Sequence, residues 1–60
     1  MSAQIYSTNN GTQVVYQHAN SRAINDKGVW RCETKKDGVW VPAANRWASI
    51  KLRAERELGI

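Results

Sequence analysis

The tripeptide Gly-Val-Trp occurs twice in this chain, ten residues apart, within Asp26-Lys27-Gly28-Val29-Trp30 and Lys36-Asp37-Gly38-Val39-Trp40. In each copy the glycine closes a turn and Val-Trp opens a β-prone run. The spacing therefore predicts a hairpin over residues 29–41, with strands Val29–Thr34 and Val39–Val41 around Lys35-Lys36-Asp37-Gly38. Pro42 ends the second strand because it has no N–H to give to a ladder. Nearer the N-terminus, Asn10-Gly11 separates two further β-prone runs, and Asn-Gly is the pair a type I′ turn favours. That predicts a hairpin over residues 4–17 with Ile5 opposite Tyr16 and Ser7 opposite Val14. Ile5, Val14 and Tyr16 then share one face, and Tyr6 and Val15 the other.

Residues 18–28, rich in Asn, Ser and Asp, read as a loop with at most a short strand around Arg22-Ala23-Ile24. A helix is predicted over residues 45–58, with Asn45 as N-cap and Gly59 beyond the last turn. Trp47, Ile50, Ala54 and Leu58 make its apolar stripe, and Ile60 is placed to fold back on Ala54. The other face carries Arg46, Ser49, Arg53 and Arg56. Lys51–Glu55 and Arg53–Glu57 stand at the i,i+4 spacing of ion pairs. The sum is an α+β domain: a small antiparallel sheet of two hairpins, three to four strands, with one C-terminal helix packed on one face.

The face that Trp40 occupies depends on the second turn. A type I turn with Gly38 as a left-handed bulge places Trp30, Cys32 and Trp40 together, and is the preferred reading. A two-residue Asp37-Gly38 turn instead sets Trp40 beside Arg31, Glu33 and Lys35, because a one-residue slip exchanges faces.

At 60 residues this is one small domain, which leaves little interior. One cysteine, Cys32, excludes an internal disulfide, and with a single His18 it falls short of a four-ligand zinc site. No cofactor is expected. No catalytic signature is present: Cys32 sits mid-strand between Arg31 and Glu33, where a small buried hydrophobe is the usual role, so the chain reads as no enzyme. An aromatic cage from Tyr6, Tyr16 and a tryptophan competes with the core's need for the same side chains. No apolar run is long enough to span a membrane, and the first residues lack the pattern of a secretory signal. A cytoplasmic location is the expectation.

The charge is unevenly placed. Residues 1–21 hold no Lys, Arg, Asp or Glu, whereas residues 22–60 hold all nine basic and five acidic side chains, a net +4. A basic surface of this kind suits an anionic partner. The expected function is that of a small DNA-binding accessory protein, using the open sheet face and the basic hairpin tip, with Arg31, Lys35, Lys36, Trp40, Arg53 and Arg56 as contacts. The order of elements resembles that of several small DNA-binding modules, among them the arm-binding domains of phage integrases and the chromodomain-like chromatin proteins. The alternative is a protein-binding inhibitor or adaptor, similar in size to the accessory proteins of phages and mobile elements. It would act on a host protein through an aromatic sheet face or an edge strand. The uncharged N-terminal edge, unguarded by Lys or Pro, also permits a homodimer.

Overall fold

The computed structural model describes residues 3–60. Five strands, β1 (Gln4–Thr8), β2 (Gln13–His18), β3 (Ser21–Asp26), β4 (Val29–Lys36) and β5 (Val39–Pro42), form one antiparallel meander in the order β1-β2-β3-β4-β5. A single helix, α1 (Trp47–Leu58), follows. The fold is α+β as expected, with five strands where three to four were expected. The difference is β3. Within the segment read as a loop, residues 21–26 pair along their whole length with β2 and β4. Its Asn and Asp residues are polar because they flank the core, and Ala23 and Ile24 between them are buried.

The first hairpin has the expected register, Ile5 opposite Tyr16 and Ser7 opposite Val14. Asn10-Gly11 occupies the centre of its turn, closed by the Thr12 N–H on the Asn9 carbonyl at 3.1 Å. The last hairpin corrects the preferred reading. Lys35 pairs with Trp40 and Lys36 with Val39, so Asp37-Gly38 is a two-residue turn with φ of 53° and 80°. Both central residues of a type I′ turn need positive φ, and its twist matches the strands it joins. Asp37 tolerates that region because its short polar side chain is among the few that do. Lys27-Gly28 repeats the geometry at φ 54° and 91°.

The two Gly-Val-Trp copies thus leave equivalent turns but reach opposite faces. β4 is eight residues long, so its second residue, Trp30, and its second-to-last, Lys35, point to opposite sides. Trp40 pairs with Lys35 and shares its side. Trp30 faces the helix and stacks on Trp47, ring centres 4.9 Å apart and planes 13° from parallel. Tyr16 extends the cluster to β2, 5.6 Å from Trp30. Beneath these rings lie Ala23, Cys32 and Ile50.

The helix lies mainly over β2 and β3. Its first residue is Trp47, and the N-cap position belongs to Arg46, without a side-chain cap, instead of to Asn45. Cys32 explains the late start. Its carbonyl accepts from the Ala43 N–H at 3.1 Å, its thiol donates to the Ala44 carbonyl, and its sulfur accepts from the Arg46 N–H at 3.3 Å. The segment leading into α1 is therefore tied to β4 until residue 46. At the other end Gly59 is left-handed, as expected, with its N–H on Arg56 and the Ile60 N–H on Glu55, a pair of bonds that closes a helix. Ile60 does not fold back on Ala54; it is 78% exposed, and Leu58 is 44% exposed, so the buried part of the stripe stops at Ala54. No helix is long and apolar enough to cross a membrane among the described residues.

Candidate nucleic-acid interface

The six side chains expected to contact DNA lie in three places. Arg31, Lys35 and Trp40 are on the sheet face away from the helix, by their pairing with Ile24, Trp40 and Lys35 respectively. Lys36 belongs to the opposite face at the hairpin tip. Arg53 and Arg56 are exposed on α1.

The open face is largely engaged with itself. Tyr6 donates its hydroxyl to Gln17 at 3.0 Å, Thr8 donates to Gln13 at 2.9 Å, and Gln13 donates to Asp26 at 3.1 Å. Arg22 donates its Nε to Glu33 at 2.8 Å, and Arg31 approaches the other oxygen of Glu33 at 3.7 Å. The guanidinium of Arg22 also covers the Trp40 ring. One carboxylate thus offsets two arginines, and the ring expected to meet a partner already carries a cation. Val15 and Ile24 on this face are buried although no second layer covers them; Tyr6 and Arg31 flank them in the same cross-strand row.

Positive charge without a carboxylate partner collects at one end of the sheet. The two-residue turn Ala19-Asn20 joins β2 to β3, and the Asn20 carbonyl accepts both the Lys35 N–H at 2.7 Å and the Thr34 hydroxyl at 3.0 Å. That places the Lys35-Lys36 tip beside the β2–β3 turn. The flank of α1 bearing Arg46, Ser49 and Arg53 reaches the same turn. With His18, Ala19, Ser21 and Ile50 these three residues line a cleft of about 200 Å³. None of Arg46, Arg53, Lys35 and Lys36 has a carboxylate within 4.0 Å among the described residues, whereas Arg22, Arg31 and Lys51 do.

Arg53 is free for a definite reason. The pair expected with Glu57 does not form, because Glu57 turns to the sheet. One of its oxygens accepts the Ala3 N–H at 2.9 Å and the other lies 3.0 Å from His18 Nε2. The Ala3 N–H, outweighing desolvation and assisted by His18, holds the Glu57 carboxyl below its ordinary range. Lys51–Glu55 does form, at 3.0 Å. Arg46 and Arg22 were the residues that sequence reasoning left out of the site. The helix stripe Arg46-Ser49-Arg53-Arg56 was a signal for Arg46, but nothing local announced that Arg22 would reach Trp40 across an intervening strand.

Among the described residues no group of three His, Cys, Asp or Glu side chains is close enough to hold a metal ion. Comparison with known protein families, with curated proteins and with solved structures gives no match.

Proposed function

We propose that this protein binds nucleic acid through its phosphate backbone, at the end of the sheet where the Lys35-Lys36 tip, the β2–β3 turn and the arginine flank of α1 meet. The observation that supports this reading is the gathering of Arg46, Arg53, Lys35 and Lys36 around Ala19-Asn20 with no carboxylate partner among the described residues. Guanidinium forks suit phosphate oxygens, and lysines add charge without demanding geometry. Arg56 extends the stripe along α1. Arg31 and Trp40, engaged within the sheet face, are secondary contacts in this reading.

The experiment is fluorescence anisotropy of a labelled mixed-sequence DNA duplex across a salt series. Four phosphate contacts give a log–log salt slope of about −3.6. Charge reversal at Arg46 and Arg53, or at Lys35 and Lys36, lowers both affinity and slope. Absence of binding at about 50 mM salt, or binding indifferent to both pairs of reversals, would overturn the reading.

A second reading has its own observation. β1 is an edge strand without Lys, Arg or Pro, and beside it Gln4, Ile5, Tyr6 and Leu58 line a shallow groove. A protein segment, or β1 of a second copy, adding there as a sixth strand would bind through main-chain hydrogen bonds. Such a complex would tolerate salt and would ignore the four cations.

A further inference from the structure

The geometry points to the cleft between α1 and the β2–β3 turn as a site for a single phosphate group, a finer statement that builds on the nucleic-acid reading but can stand or fall without it. Four observations meet here. The cleft holds two arginines, Arg46 at the N-cap of α1 and Arg53 within the helix. Arg53 lies six residues beyond the first residue of α1, about 9 Å of helical rise, so the two guanidinium groups can converge from both ends on a group between them. Ser49 sits midway between them on the helix and Ser21 on the facing strand, each with a hydroxyl to donate. No acidic residue lines the cleft, and the one carboxylate in helical reach of Arg53, that of Glu57, is drawn away by Ala3 and His18. Glu57 thereby serves the cleft by its absence: in the expected i,i+4 pair it would neutralise Arg53.

Size selects the ligand. About 200 Å³ is below the roughly 300–1,000 Å³ of pockets that enclose drug-sized molecules. The cleft suits a tetrahedral anion with its ester group directed outward. Doubly charged phosphate monoesters match two arginines better than the singly charged diesters within a strand. The chemistry is therefore a phosphate monoester or free phosphate, and a nucleic-acid strand can supply it only at an end.

The test is a two-dimensional amide NMR titration of the labelled protein with inorganic phosphate, at constant ionic strength, up to about 10 mM, where a site of millimolar Kd is roughly nine-tenths filled. The amides of residues 18–21 and 46–53 shift together with one saturating curve, and Arg53→Gln weakens that curve about ten-fold, while Lys27→Gln, in the β3–β4 turn at the other end of the sheet, leaves it unchanged. No saturable shift, or the same curve in Arg53→Gln, would overturn the phosphate site even if duplex DNA binds. Saturation by phosphate with no binding of duplex DNA would support the site and remove the nucleic-acid reading. Two matched single strands, one with a 5′-phosphate and one with a 5′-hydroxyl, identify the source. Tighter binding of the first assigns the site to a strand end, and equal binding assigns it to a small phosphate.

Discussion

The guanidinium carbon of Arg22 lies 4.2 Å from the centre of the Trp40 ring, although the whole of β4 separates the strands that carry the two residues. Glu33, on that middle strand, makes the reach possible by accepting from Arg22 on the way. Lys35 lies on the same ring's side at 5.7 Å. Three strands are thus fastened on a face that no helix covers. The contact is half-shielded from water, so a double-mutant cycle between Arg22→Ala and Trp40→Ala should give a coupling of about 0.5–1 kcal/mol. A coupling within error of zero in urea unfolding would make the stack a bystander.

The two tryptophans of the Gly-Val-Trp copies should respond very differently to truncation. Trp30 joins Tyr16 and Trp47 in the cluster that holds the helix to the sheet, and losing such a ring costs about 3–5 kcal/mol. At roughly 0.05–0.15 kcal/mol per residue a chain of this size has only about 3–9 kcal/mol of stability in total. Trp30→Ala should therefore leave much of the population unfolded at 25 °C by circular dichroism. Trp40→Ala removes a half-buried ring from the other face and should cost about 1–2 kcal/mol, leaving a cooperative thermal transition.

The parity that separates those tryptophans was the part of the fold least legible in the sequence. Asn10-Gly11 announced the first hairpin and its register, because few residues other than glycine and asparagine accept positive φ. Gly59 announced the end of the helix for the same reason. At Lys35-Lys36-Asp37-Gly38 the same four residues suit a bulged turn and a two-residue turn, and only pairing with the rest of the sheet decides between them. β3 was hidden because its ends are Ser21, Arg22, Asn25 and Asp26, residues typical of loops, and its apolar pair Ala23-Ile24 is too short to reveal a period. In the candidate site, the exposed helix arginines were visible from their spacing. Their freedom from carboxylates was not, since it depends on Glu57 meeting Ala3 more than fifty residues away in the chain.

The last turn offers a direct test of the register. With Asp37 and Gly38 both at positive φ and open space around Gly38, Asp37→Asn should be neutral or stabilise by a few tenths of a kcal/mol, because Asn-Gly is the favoured type I′ pair. Gly38→Ala should cost about 1 kcal/mol, through backbone strain alone. A type I turn with a bulge would remove the first expectation, since its second central residue has negative φ, where Asn holds no advantage over Asp. Chemical denaturation of the two variants distinguishes the geometries.

Glu57 couples the last turn of α1 to the sheet, and its behaviour with pH follows from its partners. The carboxylate accepts from Ala3 and faces His18, so its folded pKa is depressed. A group of that kind contributes stability that is fully present above its unfolded value, about 4.3, and is lost as the pH falls through the lower folded value. The helix end should therefore stay docked at neutral pH and loosen only under acid conditions, below the range in which an unperturbed glutamate titrates. Following the Ala3 amide by NMR from pH 7 downwards should show a midpoint below that of a glutamate in an unstructured peptide. In Glu57→Gln the carboxamide oxygen still accepts from Ala3, so the fold should persist while the acid-dependent shift disappears. A wild-type midpoint at or above the peptide value would mean that Glu57 does not hold the Ala3 N–H in solution. Arg53 would then regain its helical partner, and the cleft beside it would lose half of its free charge.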